Sequence, residues 1–200
     1  MYRGLTGRDP HRHATQQPAN PHTPPLTHCP RAPRTPLPRL YAPRRGTDRM
    51  DGVDVRGMLL EDVYARIGFV PQKGVLFSGT IESNIRYGAP DASNEDVASA
   101  LETAQAVEFV AGLPEGTAAP ISQGGTNVSG GQRQRLSIAR AIVRAPEIYI
   151  FDDSFSALDF KTDARLREAL LAETRDNTVI IVAQHIVTIM DTAKNVGPDR

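Results

Sequence analysis

The strongest hydrophobic pattern in this chain is a pair of short, unbroken apolar runs at residues 148–151 and 179–182. Unbroken runs, in contrast to alternating ones, are typical of strands buried on both faces of a parallel sheet. Between the two runs, residues 162–172 predict the helix that crosses from one parallel strand to the next. We therefore expect an α/β fold built on an open, mostly parallel sheet.

A third strand is predicted at residues 66–72, where a proline stops it, and a loop follows over residues 73–78. Thr80 is a suitable N-cap for a short helix that runs to Tyr87 and is closed by Gly88. This segment therefore predicts a strand, a loop and a helix in close succession.

Two longer helices follow in the pattern. Ser93 and Asp96 have the spacing of a capping box, and the helix they begin is expected to end at residues 114–116, which contain proline and glycine. Ser129 is the expected cap of a second helix that reaches about Arg144. The apolar positions expected on the buried side of the first of these helices are Val97, Leu101, Ala104 and Val107.

Charge divides the chain into two unlike parts. Residues 1–50 hold nine arginines against two aspartates, a charge of +7, and the remainder has 14 basic and 21 acidic residues, a charge of −7. The first part is also rich in proline and poor in apolar periodicity, so burial cannot offset the entropy of ordering it. We expect residues 1–37 to be disordered and residues 38–200 to be globular.

Composition also limits the function classes. The single cysteine, Cys29, excludes a disulfide framework and a cysteine-rich metal site. The longest strongly apolar run, residues 179–183, is far below the roughly 18 to 20 residues that cross a bilayer. The basic segment lacks interleaved aromatic residues, so no nucleic acid is expected as a partner.

Residues 129–132 offer a place for a phosphate. A hydroxyl and two glycines, Ser129, Gly130 and Gly131, open a predicted helix and are followed by Gln132. Backbone N–H groups at a helix start have no intrahelical acceptor and carry partial positive charge, and glycine lets a ligand approach them closely. Taken alone, this pattern more often means an ordinary capped helix.

Paired carboxylates end the apolar strand that follows. Asp152 and Asp153 stand where the strand meets a loop, and the carboxyl edge of a parallel sheet is where metal–phosphate sites form. The simpler interpretation is an aspartate that caps the next turn.

In this order and spacing, residues 127–135 and 147–159 resemble the signature motif, the Walker B strand and the D-loop of ABC-transporter ATPase domains. The resemblance implies a P-loop NTPase-like fold with a helical signature subdomain at about residues 80–145. It also implies ATP and Mg²⁺ as cofactors, and an ATPase whose hydrolysis drives transport by a separate transmembrane domain. In that family the signature motif, here residues 129–132, reaches the γ-phosphate held by a second ATPase domain in a head-to-tail dimer.

The same resemblance implies roles for single residues. Asp152 would hold magnesium through water, and Asp153 stands where active members carry a catalytic glutamate that is one methylene longer. Gln72 matches the Q-loop glutamine, which senses both the magnesium and the attacking water. Gln184 holds the place of the switch histidine, since His185 comes one residue late.

Residues 73–85 and 123–126 resemble the exporter branch of the family, and the second of these matches the loop that contacts intracellular helices of the transporter. The implied location is the cytoplasmic face of the cell membrane, with membrane contact only through the partner.

The glycine-rich phosphate loop of the family is missing upstream of residues 51–55. Such a loop needs Gly-x-x-x-x-Gly-Lys-Ser/Thr, and the first lysine in this chain is Lys73. Loss of roughly four charge-assisted contacts at about 1.5 kcal/mol each forfeits about four decades of affinity. We therefore expect an ATPase domain truncated at both ends, acting as a degenerate half-site beside a complete partner.

Two other interpretations stay open. The chain could be a non-enzymatic or unstable fragment without ATP binding of its own. A chromosome-maintenance ATPase shares the signature and Walker B motifs, but such proteins insert long coiled coils between their halves. Only 80 positions separate Gln72 from Asp152 and they contain no heptads, so this second interpretation is disfavoured.

Overall fold

The structure, a computed structural model, describes residues 47–182 of the 200-residue chain. The segment predicted to be disordered, residues 1–37, lies outside the described residues, and so does Gln184. Within the described part no helix is long and apolar enough to cross a membrane.

Three parallel strands form the central sheet, as the apolar runs predict. They are β3 (Ile67–Val70), β6 (Ile148–Asp152) and β7 (Thr178–Val182), in the order β3-β6-β7. Ile67 lies opposite Ile148, and Ile148 opposite Thr178, so the carboxyl ends of all three strands meet at one edge.

The sheet has a core on each face, and β6 contributes to both. Tyr149 and Phe151 pack in the larger core. Ile148 and Ile150 pack in a smaller one. The prediction that this strand is buried on both faces is confirmed. For β7 it is wrong, because only Thr178 and Val179 are buried and residues 180–182 are partly exposed. Among the described strands β7 pairs with β6 alone, which leaves its other side less covered.

Helix α6 (Phe160–Glu173) makes the predicted crossover between β6 and β7. Asp159 caps it by accepting a hydrogen bond from the Thr162 N–H at 3.0 Å. Its buried residues, Leu166 and Leu170, join the larger core. The same hydrogen bonds to Thr162 hold the pKa of Asp159 below its ordinary value.

Side-chain caps set the starts of three of the helices between β3 and β6. Helix α2 (Ile81–Arg86) begins after Thr80 and helix α5 (Gly130–Ile142) after Ser129, each with a capping box. Both starts agree with the prediction. The larger core is filled mainly by these helices and by α3 (Asn94–Thr103), through apolar residues such as Ile81, Ile85, Leu101, Leu136 and Ile138.

The helix that starts after Ser93 is shorter than predicted. It ends at Thr103, and a separate helix, α4 (Val107–Ala111), follows. Gln105 lies between them at a φ of 55°, in the left-handed region that ends helices, and the Ala106 N–H donates back to the Leu101 carbonyl at 2.8 Å. Val107 is consequently exposed, whereas the prediction buries it.

The described chain opens with elements that the pattern does not predict. Strands β1 (Arg49–Met50) and β2 (Val53–Asp54) form an antiparallel hairpin, and α1 (Leu60–Arg66) leads into β3. They enclose the smaller core on the second face of the sheet. A second small ribbon pairs β4 (Gly79–Thr80) with β5 (Pro120–Ile121).

Candidate functional site

The start of α5 is an exposed, tightly capped helix end. The Ser129 hydroxyl accepts a hydrogen bond from the Gln132 N–H at 3.2 Å, and the Gln132 side chain accepts one from the Ser129 N–H at 2.9 Å. Ser129 and Gly130 are exposed. Since the cap takes the Gln132 N–H, the first-turn donors left for an anion are the N–H groups of Gly130 and Gly131.

The two glycines differ in their surroundings. A Cβ on Gly131 would lie 3.1 Å from the Ala157 carbonyl oxygen, whereas one on Gly130 would meet nothing within 4 Å. Gly131 therefore lets the start of α5 pack closely against the loop after β6. Gly130 leaves open space in front of the helix, which is room for a ligand.

The end of β6 turns sharply. Asp152 is the last residue of the strand, lies opposite Val182 and is partly exposed. Asp153 leaves the strand at a φ of 47°, with its N–H donating to the Val182 carbonyl at 2.7 Å. This turn takes the two adjacent carboxylates out of the alternation of an extended strand, in which they would point to opposite faces.

Gln72 and Asp153, both predicted site residues, are in direct contact. The Gln72 Nε2 group donates to Asp153 Oδ2 at 3.0 Å across 81 positions of sequence. Asp153 is 8% exposed, and the fully buried Ser154 hydroxyl donates to the Val70 carbonyl at 2.9 Å. The loops after β3 and β6 are thus fastened to each other at the carboxyl edge of the sheet.

Gln134, which the sequence analysis does not single out, ties α5 to the same loop. Its Oε1 atom accepts from the Gly74 N–H at 3.0 Å, and its Nε2 group donates to the Pro71 carbonyl at 3.1 Å. It is 2% exposed. The available signal is a polar residue on the side of α5 that also carries buried Ile138 and Ala141, four and seven positions further along the helix.

A second polar clamp lies near the other end of α5. Arg140 donates to the Asn84 carbonyl at 2.8 Å, to the Asn84 side-chain oxygen at 2.7 Å and to the Val75 carbonyl at 2.8 Å. Asn84 is buried and itself donates to the Phe77 carbonyl at 2.9 Å. Burial lowers the pKa of Arg140.

This clamp supports three exposed apolar side chains, Val75, Phe77 and Tyr87, here called the aromatic patch. Their exposed fractions are 53%, 43% and 66%. The two rings lie 4.5 Å apart between centroids, and the Arg140 guanidinium stands 5.1 Å from the Phe77 centroid. Large apolar groups held rigidly at a surface are typical of a contact site for another protein. The motif at residues 123–126 predicts a transporter contact, whereas no motif points to the side chains of the aromatic patch.

The predicted metal ligands fit a magnesium ion that is held loosely by protein. Within residues 47–182 no cluster of three or more His, Cys, Asp or Glu could hold a metal. Magnesium in phosphate sites usually takes only one or two carboxylates and otherwise binds water and phosphate. Asp152, partly exposed beside the Gln72–Asp153 pair, suits that mode of binding.

The chain is similar to ABC transporter proteins in both sequence and structure. The family model described as "ABC transporter" matches residues 36–156. An uncharacterized ABC transporter ATP-binding protein of Mycobacterium tuberculosis is 45% identical over 170 residues, which is 80% of this chain and 29% of that protein. The ABC transporter ATM1 of Toxoplasma gondii is 38% identical over 156 residues, covering 78% of this chain and 14% of its own length.

Among solved structures, a bacterial Atm1-family ABC exporter with ATP bound matches with a TM-score of 0.76 and 37% identity. The match covers 78% of this chain and 28% of the exporter. The chain therefore spans less than a third of the length of these relatives.

Proposed function

Because this chain belongs to the ABC transporter family, we propose that it is the ATP-binding part of an exporter-type transporter and supplies half of an ATP site to a second ATPase domain. The observation that carries the proposal is the helix start at residues 129–132, which is capped, exposed and open at Gly130. ATP hydrolysis at the shared site would drive substrate movement by a transmembrane domain.

The helix start would act on the γ-phosphate held by the partner. The N–H groups of Gly130 and Gly131 are its first-turn donors, and the partial positive charge of the helix end favours an anion. The capping box keeps these groups in place before any ligand arrives, so little ordering entropy is lost on binding.

Of the two ATP sites formed with the second ATPase domain, the one on this chain would be the weaker. Its 200 residues contain no Gly-x-x-x-x-Gly-Lys-Ser/Thr. Asp153 is shorter than glutamate, and one of its oxygens already accepts the Gln72 amide. A catalytic group displaced by about 1 Å can lose roughly a hundredfold in rate. We propose a degenerate site in which Asp152 and Gln72 are the magnesium ligands, and Asp153 and Gln184 hold catalytic positions without full activity.

Magnesium, when bound, would neutralise charge on the β- and γ-phosphates of ATP. The residues of this chain would orient a carboxylate and a phosphate and would not themselves form covalent bonds. Gln72 would hold the Asp153 carboxylate, and the helix start would hold the terminal phosphate of the partner's nucleotide.

A transmembrane domain would dock on the aromatic patch. The loop at residues 123–126 lies beside it, because the Gly124 N–H donates to the Leu76 carbonyl at 3.0 Å. A Cβ on Gly125 would lie 3.1 Å from a methyl group of Leu76, so the two segments pack closely. We propose that this combined surface receives a helix of the transmembrane partner at the cytoplasmic face.

The shared site is tested by mixing the full chain with an exporter ATPase domain chosen for its intact phosphate loop. We expect the chain to raise the ATPase rate of that domain, because it completes a site that needs a second helix start. Ser129→Arg should abolish the increase, since it places a long cationic side chain where the phosphate would lie. Gly130→Leu should do the same while keeping the capping hydroxyl, and it has space in the free chain.

Ser99→Arg is the matched control, because Ser99 is an exposed serine on α3. An equal increase from wild type, Ser129→Arg and Gly130→Leu would refute the proposal. Absence of a cooperative thermal transition in the wild-type chain by circular dichroism would instead support the alternative of an unstable, non-enzymatic fragment.

A further inference from the structure

Three segments that are distant in sequence are linked through Gln134 and Gln72. Gln134 lies on α5, and its side chain reaches the loop after β3 on either side of Gln72, at the Pro71 carbonyl and the Gly74 N–H. Gln72 in turn donates to Asp153 after β6. The path from α5 to the carboxylate thus runs through the Gln134 side chain, the backbone of the loop and then the Gln72 side chain.

The contact at Gly74 is too close for a Cβ unless the Ser137 side chain moves. A Cβ there would lie 2.4 Å from the Ser137 hydroxyl, 3.1 Å from the Arg133 carbonyl oxygen and 3.2 Å from Gln134 Oε1. The backbone of the loop therefore rests directly on α5, and Gln134 fixes its register there. A movement of α5 cannot leave Gln72 in place unless these contacts break.

A glutamine suits this position because it offers one acceptor and two donors at the end of a flexible stem. The acceptor and one donor are both used, and the site is nearly closed to water. A buried amide without hydrogen-bond partners is costly. The loop is therefore strongly favoured in the one position that keeps both hydrogen bonds.

We propose that Gln134 is a positioning residue that holds Gln72 on Asp153 and so couples the helix start at residues 129–132 to the chain's own carboxylate. The proposal rests on the proposed function for what the helix start binds. The placement of the loop by Gln134 stands independently of that function.

The first measurement follows Gln72 and Gly74 by nuclear magnetic resonance in the full chain. In Gln134→Met, which keeps a similar volume but removes both bonds, we expect hydrogen exchange of the Gly74 amide to quicken by about tenfold. The Gln72 side-chain amide signals should move toward the positions of a free glutamine. Ser137→Ala is the matched control, because it changes the same contact with Gly74 without touching a bond of Gln134.

Gln134→Glu is a conservative variant, and its effect is measured as the pH dependence of the Gln72 side-chain signal. A protonated carboxyl has one donor and a remaining acceptor, as the amide requires here, whereas an ionised one cannot donate to the Pro71 carbonyl. The Gln72 signal of this variant should match that of wild type in acid and should depart, as pH rises, from the wild-type signal recorded at the same pH. Arg133 and Arg135 flank Gln134 in the sequence of α5, Lys73 belongs to the loop that Gln134 bonds, and Asp153 bonds Gln72.

The second measurement is a double-mutant cycle in the ATPase mixture described above. If Gln134 acts through Gln72, then Gln72→Ala and Gln134→Met together should reduce the ATPase rate no further than the stronger single variant. Additive losses, or a native Gln72 signal in Gln134→Met, would overturn the inference. A wild-type chain that fails to raise the ATPase rate refutes the proposed function alone, and the spectroscopic result then decides the role of Gln134.

Discussion

A single carboxyl, that of Asp48, is placed unfavourably within the described part of the chain. Its Oδ2 atom is buried and has no hydrogen-bond partner there. Burial, followed by the negative charge of Asp54, raises the pKa of Asp48, and Arg56 lowers it only in part. Asp54 shows the opposite situation, because hydrogen bonds from Arg56 lower its pKa to about 2. Two aspartates six positions apart therefore act on stability in opposite directions.

Asp48→Asn should raise the free energy of unfolding at pH 7. An acid whose pKa is raised by folding binds more protons in the folded state, so its contribution to stability falls as pH rises through that pKa. The gain should shrink as pH is lowered and vanish below the pKa of aspartate in the unfolded chain, where both states are protonated. Urea unfolding of the variant and wild type at pH 3, 5 and 7 measures it. Asp91→Asn, at an exposed turn residue, is the control, and an equal gain there would contradict the argument.

Among the helices, the junction between α3 and α4 shows what pattern reading misses. Gln105, two residues after the end of α3, adopts a left-handed conformation that glycine adopts most readily. Its side chain partly compensates by donating to the Glu102 carbonyl at 3.1 Å. Arg135 of α5 holds its backbone by donating to the Gln105 carbonyl at 2.6 Å. A tertiary contact thus stabilises a turn that the local sequence does not predict.

Gln105→Gly should stabilise the protein by about 0.5 kcal/mol. Relief of the left-handed conformation is worth about 1 kcal/mol, and loss of the exposed side-chain bond takes back about half of that. Gln105→Val should be destabilising by more than about 1 kcal/mol, because β-branching makes the same conformation harder to adopt. Chemical denaturation of the three proteins tests the order Gly, Gln, Val, and any other order would contradict the explanation.

The elements that could be predicted are those whose cause is local. The caps at Thr80, Ser93 and Ser129 each bond a backbone N–H three residues ahead, so residue type and spacing are sufficient to find them. The hairpin of β1 and β2 has only two residues in each strand, which is too short for a periodic signal. Partial exposure of β7 depends on which strands flank it, and the run of apolar residues carries no such information.

Across the whole molecule, the sequence proposes the residues of the candidate site one by one but not the contacts between them. Motif resemblance identifies Gln72, Asp152 and Asp153, and the parallel order of the strands explains why they share one edge. The bridge through Gln134 spans 60 positions. The place of Gln134 on a buried side of α5 makes it a candidate for a structural role, but the local pattern does not show which loop it bonds. The roles of these residues in binding magnesium and ATP stay predictions.

Because this sequence has no phosphate-loop motif, the number of ATP molecules that the chain retains can be predicted. Without about four phosphate-loop contacts, affinity should fall by about four decades, so a site of roughly 100 μM would weaken to about 1 M. In equilibrium dialysis with radiolabelled ATP and Mg²⁺, we expect no measurable retention by the chain alone. The ATPase domain with an intact phosphate loop is the positive control.

The mixture of the two proteins is more informative than either alone. A head-to-tail dimer has two composite sites, but only one of them would combine a phosphate loop with a facing helix start. We expect one ATP for each pair of chains, and two for each homodimer of the complete domain. One ATP retained by the isolated chain, or two by the mixed pair, would contradict the prediction. Either result would mean that this chain binds a triphosphate without a phosphate-loop motif.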